Sequence, residues 1–171
     1  MSFFEDLFCP VCDEDHVPAY GDEESPILIV GAKPGDYEIK TGIPMGGAMG
    51  GVLRSEFRWL GYDLDKFRRT NLWLHEPNKN EGCFNHGVQE VIKEAKNKKA
   101  IIMMGAEPVQ YFFSKPVTDV CGLFLTTPLL SCKIIIVSVN PAIVFQENST
   151  VGEMKLVFQK FFDRCKKEGI L

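Results

Sequence analysis

The chain has no excess of positive charge. Its 19 lysines and arginines are outnumbered by 23 aspartates and glutamates, and the formal net charge is −4. This balance excludes the global basic field that draws many proteins onto nucleic acid, so any contact with DNA must come from a local patch. Five basic residues lie close together in the sequence and are candidates for such a patch: Arg54, Arg58, Lys66, Arg68 and Arg69. The alternative for this cluster is a solvated helix face and turn.

Long apolar runs are also missing. No run reaches the ~18 residues that a membrane helix needs, and the acidic start of the chain has the wrong charge for a signal peptide. We therefore expect an intracellular, cytoplasmic protein without a membrane partner. In that compartment the six cysteines are better explained as thiols or metal ligands than as disulfides. A length of 171 residues favours a single domain over residues 1–171.

Strand and helix patterns alternate along the chain. Buried-strand runs are predicted at residues 27–30, 70–74, Ala100–Met104 and 133–139, with a less regular strand at 123–125. Helical spacing is predicted for residues 52–60, 88–95, Ala106–Phe113 and 152–167. Such alternation is typical of an α/β fold in which helices cover both faces of a parallel sheet. The phenylalanine-rich stripe of the last helix indicates core packing.

Glycines and prolines crowd the end of the first predicted strand. Gly31-Ala32-Lys33-Pro34-Gly35 follows it directly, and residues 40–51 add five more glycines. In an open α/β sheet, ligands bind at the carboxyl ends of the strands, and glycine lets backbone N–H groups approach them. The spacing does not match either common phosphate-binding glycine motif, which disfavours a nucleotide-binding protein of the flavodoxin type.

A second motif lies near the start of the chain. Cys9-Pro10-Val11-Cys12 has the C-x-x-C spacing that suits a soft metal ion, either zinc or iron, or redox chemistry. The redox alternative expects a thioredoxin-like context, which the surrounding sequence does not provide. The motif therefore favours a metal site.

Taken together, these motifs resemble the uracil-DNA glycosylase superfamily, most closely its family 4, the iron–sulfur branch. That family combines an early C-x-x-C, a strand ending in G-E-x-P-G, a K-T-G-x-P-F-x-G-x-x-G block, a T-N at a second strand end and a final H-P. The corresponding segments here are Cys9 to Cys12, Gly31 to Gly35, Lys40 to Gly50, Thr70-Asn71 and Asn140-Pro141. The resemblance implies a three-layer sandwich with a central four-stranded parallel sheet flanked by helices.

The resemblance also implies a function in DNA repair. Members flip a uracil, or a related modified pyrimidine, out of DNA and hydrolyse its N-glycosidic bond. Carried over by motif, the candidate catalytic residues are Glu38, Asp36 and Asn140; the base-binding residues are Asn71, Met45, Gly31 and Gly35; and the DNA-binding residues are Lys33, Gly47, Pro141 and Ala142. DNA is the expected partner, and we expect a monomer.

Three positions depart from the family pattern. Ala32 stands where the family has an acid, Asn140 replaces the histidine that donates to the leaving oxygen, and Met45 replaces the aromatic residue that stacks on the base. We therefore expect weakened or altered glycosylase activity. The alternative is a non-catalytic protein that binds DNA or a modified base through the same fold.

The resemblance further implies a [4Fe–4S] cluster. Its ligands would be Cys9, Cys12, His75 and Cys83, with histidine at a position where the family has cysteine. A zinc ion with the same four ligands is the alternative, as is a set in which His16 or His86 replaces one of them. The expected role is structural. The other three cysteines, Cys121, Cys132 and Cys165, are expected to be buried free thiols.

Overall fold

Runs of apolar and β-branched residues form the central sheet. The structure, a computed structural model, describes residues 7–145 and 150–171. The sheet has five strands: β1 (Ile27–Gly31), β2 (Arg68–Asn71), β3 (Ala100–Met104), β4 (Phe124–Leu125) and β5 (Ile134–Ser138). All of them except β4 run parallel. The spatial order is β2-β1-β3-β5-β4.

Helices cover both faces of this sheet. They are α1 (Asp36–Thr41), α2 (Ala48–Trp59), α3 (Glu81–Ala95), α4 (Ala106–Phe113), α5 (Val117–Val120) and α6 (Thr150–Lys167). Two 3-10 helices, Leu64–Lys66 and Pro141–Phe145, join them. The predicted three-layer α/β architecture is confirmed. Within the described ranges, no helix has both the length and the apolar character needed to cross a bilayer.

The sheet differs from the predicted one by a fifth strand. β4 pairs antiparallel with β5, with Phe124 opposite Ile136 and Leu125 opposite Ile135. The chain turns back after α5 and pairs briefly with the exposed edge of β5, which covers that edge. The expected count of four is therefore correct for the parallel strands only.

The core has two parts because strand side chains alternate between the faces. Ile27 and Ile29 point into a cluster with α2 and α6, whereas Leu28 and Val30 point into a cluster with α3 and α4. The stripe of α6 is buried in the first cluster, as predicted: Met154, Val157, Phe158, Phe161 and Phe162.

Candidate functional site

Four parallel strands end together at one edge of the sheet. Gly31 at the end of β1 is in register with Asn71 at the end of β2. A Cβ placed on Gly105, just after β3, would lie 3.6 Å from the Cβ of Ala32 and 3.9 Å from that of Asn140. The topology thus brings the end of β2 with Asn71, and two of the three substituted positions, Ala32 and Asn140, to the edge where α/β proteins bind ligands.

Asn71 is the most unusual polar residue at this edge. It is only 1% exposed, and neither its amide nitrogen nor its amide oxygen has a hydrogen-bond partner in the described part of the chain. An unpaired buried polar group costs about 1–3 kcal/mol. Gly31 makes room for this amide, because a Cβ on Gly31 would lie 2.4 Å from Asn71 Oδ1. An amide held there without a protein partner has its donor and acceptor available to a ligand.

Met45 closes the space beside Asn71. It is 0% exposed, and its methyl carbon Cε would lie 3.1 Å from the same Cβ position on Gly31. Its φ of 58° is in the left-handed region, unusual for a side chain of this size. Gly50 on α2 permits this conformation, since a Cβ there would lie 1.5 Å from the Met45 carbonyl oxygen. A base reaches the amide only after the flexible Met45 side chain moves.

Two surface cavities lie elsewhere. A cavity of about 630 Å³ is bounded by α4, α5 and Phe84, and a second of about 490 Å³ lies beside Tyr20 and Arg68. Neither is lined by Asn71 or Met45. Asn71 is 1% exposed and Met45 is 0% exposed, so solvent does not reach the candidate base site in this conformation.

Glu38 holds the glycine-rich loop together. Its side chain is buried, and its carboxylate accepts hydrogen bonds from the Gly35 N–H (3.0 Å) and the Gly47 N–H (3.3 Å). One carboxylate therefore joins two loop positions that the sequence analysis assigned to base and DNA contacts. Asp36, the other candidate acid of this segment, is exposed in the first turn of α1.

Arg69 supports the same loop from β2, a role that sequence reasoning missed. Its side chain is buried, and it donates to the carbonyl oxygens of Pro44 (3.0 Å) and Leu64 (3.1 Å) and to Asp65 Oδ1 (3.0 Å). The guanidinium also lies 5.1 Å from the Tyr20 ring centroid. Because Pro44 precedes Met45, this network fixes the backbone that carries the Met45 side chain.

Three of the five candidate residues for a basic patch have acidic or backbone partners within the fold. Arg54 makes an ion pair with Asp65 (2.8 Å). Arg68 donates two hydrogen bonds to the Glu94 carboxylate, each 2.8 Å long. Arg69 is buried, as described above. The fold thus places an acid or a backbone carbonyl beside each of these three side chains. The other two residues of the set, Arg58 and Lys66, are exposed.

Asn140 and Lys33 lie at the rim. Asn140 Oδ1 accepts a hydrogen bond from the exposed Ala142 N–H (2.9 Å), and no hydrogen bond from its Nδ2 occurs among the described residues. Its amide N–H can therefore donate to a ligand. Pro141 is buried and begins the 3-10 helix that follows. Lys33 is exposed and lies 3.5 Å from Glu76 Oε1, a surface pair that a phosphate can displace at little cost.

The four predicted metal ligands lie together, and one of them, His75, is in the segment that follows β2. The ligand atoms of Cys9, Cys12, His75 and Cys83 are all within 4.8 Å of one another. Cys9 Sγ lies 3.8 Å from Cys83 Sγ, and Cys12 Sγ lies 3.5 Å from His75 Nε2. Three of the four residues are buried. The chain thus contains a Cys₃His cluster that could bind a metal.

Three separate segments build this centre. Cys9 and Cys12 lie in a tight hairpin closed by the Cys9 N–H to Glu14 carbonyl bond (2.8 Å) and the Asp13 N–H to Cys9 carbonyl bond (2.9 Å). His75 follows β2, and Cys83 lies in the first turn of α3. Burial by itself would raise the pKa of the Cys9 thiol, but hydrogen bonds from the hairpin backbone and from His75 have the larger combined effect. They lower the pKa to about 7, which favours the thiolate that binds metal.

The surroundings fix which nitrogen of His75 can bind metal. His75 Nδ1 lies 2.8 Å from the Glu76 carbonyl oxygen, which can only accept, so Nδ1 carries the proton and Nε2 keeps a free lone pair. His16 stacks on His75 at 6.0 Å and on His86 at 5.2 Å between ring centroids. The two alternative histidines therefore lie beside the cluster rather than in it.

The remaining cysteines are free thiols, as predicted. Cys132 and Cys165 are buried as expected, but the expected burial of Cys121 is wrong, because its side chain is partly exposed. Burial raises the pKa of the Cys165 thiol to about 12, so this residue stays protonated and packs as a small apolar side chain.

Comparison with known proteins identifies the family. The sequence model of the Uracil DNA glycosylase superfamily matches residues 18–166, which is most of the chain. The chain therefore belongs to this superfamily. The fold and the Cys₃His cluster are both compatible with an iron–sulfur member of it. Cys9 and Cys12 lie before the matched residues. Comparison with curated proteins gives no match.

Proposed function

We propose that this protein flips a pyrimidine nucleotide out of DNA and hydrolyses its N-glycosidic bond slowly. Superfamily membership supports a DNA-glycosylase-like function and DNA as the partner. The observation that carries the proposal is the buried, unpartnered amide of Asn71 beside Gly31. One amide offers a donor and an acceptor, which match O4 and N3–H of uracil. Extruding the nucleotide costs a few kcal/mol, which contacts with the base must offset.

The chemistry that these residues can supply is limited. Asn140 has an amide N–H able to donate to the departing O2, but a neutral amide stabilises an anion less than a polarised imidazole. A well-placed donor of this kind is worth about 2.7–4 kcal/mol. Ala32 supplies no carboxylate to shield the sugar cation or to orient water. Asp36 is exposed and remains a candidate for the water-orienting role, whereas the Glu38 carboxylate is already bonded to the loop.

A second candidate function is non-catalytic binding of DNA or of a modified base. It is favoured by the engagement of Glu38 within the loop and by the closed Met45 side chain. Both proposals use the same Asn71 contact. They differ in whether base is released.

A single-turnover assay on single-stranded DNA containing uracil tests the choice. Base release is followed for the wild-type chain and for the double variant Ala32→Glu/Asn140→His, with hydroxymethyluracil and mismatched substrates in parallel. We expect slow release that the double variant accelerates more than tenfold. Tight binding without release from any substrate, even by the double variant, would establish the second candidate. Fast release by the wild-type chain would overturn the idea of a weakened site.

The metal centre has a structural role in this proposal. Its four ligands tie the N-terminal hairpin and the start of α3 to the segment that follows Asn71. Both groups expected from the sequence, an iron–sulfur cluster or a zinc ion, would use these same ligands. No step of base release passes through the centre.

A further inference from the structure

We propose that the Cys₃His centre holds a single zinc ion in a closed tetrahedral site, and not the [4Fe–4S] cluster that the family resemblance implies. The proposal depends on the spacing of the ligand atoms and on the donor set. It is independent of whether the chain releases a base.

The spacing matches one tetrahedral ion. Zinc with Zn–S bonds of about 2.3 Å and Zn–N bonds of about 2.0–2.1 Å holds two sulfurs about 3.8 Å apart and a sulfur and a nitrogen about 3.6 Å apart. Cys9 Sγ and Cys83 Sγ are 3.8 Å apart, and Cys12 Sγ is 3.5 Å from His75 Nε2. Two independent pairs of ligand atoms therefore have the separations that one zinc ion imposes.

A cubic cluster needs a wider cage. In a [4Fe–4S] centre, each protein ligand binds a different iron atom at a corner of the cube. The ligand atoms then lie outside the cube, separated by an iron–iron edge and by bonds that diverge from it. Ligand atoms that are all within 4.8 Å of one another leave room for one ion but not for the eight atoms of a cube. At the spacing that the structure shows, the four ligand atoms therefore fit one ion and not the cluster.

The donor set leads to the same assignment. Three cysteines and one histidine form an ordinary structural zinc set, and four protein ligands leave no open position for water or substrate. The bond from His75 Nδ1 to the Glu76 carbonyl is the outer contact typical of a zinc-bound histidine. Asn78 Nδ2 lies 3.6 Å from Cys83 Sγ, where an N–H can partly offset thiolate charge. Packing against Trp73 and Phe84 shields the centre.

The identity of the metal can be measured directly. The full chain is expressed in medium supplied with both iron and zinc, purified without oxygen, and analysed for zinc, iron, acid-labile sulfide and absorbance near 400 nm. We expect about one zinc per chain, no sulfide and no visible colour. About four irons with four sulfides in a brown protein would overturn the proposal. A single iron without sulfide, or no metal at all, would also overturn it.

Zinc can replace iron during expression, so a competition is needed. Metal-free chain is offered zinc together with ferrous iron and sulfide, and the bound metal is then identified. We expect zinc to be retained, and X-ray absorption at the zinc edge should show three sulfur neighbours and one nitrogen neighbour at the bond lengths given above. Formation of a cluster under these conditions, or a zinc shell without three sulfurs and one nitrogen, would contradict the assignment.

Variants test the ligand set. We expect His75→Cys to keep one zinc, because it creates a Cys₄ set. His75→Ala should weaken zinc binding by more than roughly 100-fold, because it removes a direct ligand. Removing a side chain that only supports a ligand typically lowers metal affinity by roughly 10- to 100-fold. Cys121→Ser, at a cysteine outside the centre, is the matched control and should bind zinc normally. Wild-type affinity in His75→Ala would exclude His75 as a ligand. A zinc-containing chain that releases no base would count against the proposed function only.

Discussion

Single residues decide what the sheet edge can recognise. Asn71 is buried with an unpartnered amide, and the missing side chain of Gly31 makes the space for it. The T-N motif at a strand end predicted that Asn71 faces a ligand. It could not predict that Met45 would cover the amide, because that contact joins residues 26 positions apart through the left-handed backbone of Met45.

Replacing Asn71 by leucine should separate stability from function. The change removes two unsatisfied polar atoms, so we expect the free energy of unfolding to stay level or to rise by about 1 kcal/mol. Base release, or base binding, should fall by about 5- to 150-fold, the equivalent of 1–3 kcal/mol for a lost buried contact. Denaturant unfolding and single-turnover release measure the two effects.

The control for this variant is Asn80→Leu. The Asn80 side chain caps α3 by accepting from the Gly82 N–H (2.9 Å), so its loss should cost about 1 kcal/mol. Asn71→Leu would contradict the assignment if it destabilised the chain as much as Asn80→Leu does and left base release intact.

At the scale of elements, two side chains shape the loop between β1 and α2. Glu38 closes it from within, and Arg69 supports it from the neighbouring strand. The bond from the Gly35 N–H joins residues only three positions apart, whereas the second bond, from the Gly47 N–H, depends on how the loop folds back. The family resemblance assigned Glu38 to catalysis, and it could not show that the carboxylate holds two positions of the loop.

Glu38→Gln tests whether this carboxylate is a loop clamp. An amide can accept only one of the two N–H bonds and turns a donor toward the other, so we expect a loss of about 1–3 kcal/mol. Hydrogen exchange should accelerate at Gly35 and Gly47. Asp36→Asn, at the exposed acid of the same helix, should change neither. Unchanged stability with a lost acid limb in the pH–rate profile would indicate a catalytic acid instead.

The 3-10 helix beside this loop should be sensitive to acid. Hydrogen bonding to Arg54 is the largest cause that keeps the pKa of Asp65 below its usual value, and partial burial opposes it while Arg69 adds to it. A lowered folded-state pKa contributes stability above the unfolded value near 4, which is lost as pH falls through the folded pKa. Asp65→Asn should be less stable at pH 7 and lose less stability below about pH 4.

Urea unfolding between pH 3 and pH 7 measures this difference. Asp119→Asn, at an exposed aspartate that makes no ion pair within the described ranges, is the matched control and should follow the wild-type profile. If the free energies of unfolding of the wild type and Asp65→Asn fell in parallel with decreasing pH, Asp65 would not be the source of the acid sensitivity.

At the scale of the whole molecule, the metal centre connects distant parts of the chain. The hairpin at Cys9 and Cys12, the segment after β2 and the start of α3 each supply at least one of its four ligands. Removing the metal should therefore loosen these segments together while the sheet stays paired.

A chelator tests this connection. We expect the metal-free chain to melt several degrees lower, since 1 kcal/mol corresponds to about 2–4 °C in a domain of this size. Hydrogen exchange should increase at residues 8–16 and 72–84, with β3 and β5 still protected. Cys132→Ser serves as a cysteine control that keeps its metal. An unchanged melting temperature after complete metal removal would contradict the structural role.

Local pattern predicted some elements better than others. β3 and α4 have the bounds expected from the sequence. β3 is a compact apolar run that ends before Gly105, and α4 is a clear helical stripe that ends before Ser114. β2 lies at Arg68–Asn71 and not at residues 70–74, because Arg68 and Arg69 are strand residues whose charges are paired. α2 begins at Ala48 and not at residue 52. Gly50 and Gly51 read as loop in the sequence, but both lie in the helix, where Gly50 packs against the Met45 backbone.

The sequence alone determined the alternation of strands and helices and the family motifs, because these depend on residue type and on spacing along the chain. The family resemblance then pointed to the four candidate metal ligands. The tertiary structure decided how those residues are used. It placed Met45 beside Asn71, and it gave Glu38 and three arginines partners within the protein. It also set the distances between the candidate metal ligands, which favour a single ion. These outcomes depend on distances between segments far apart in the chain, which only packing determines.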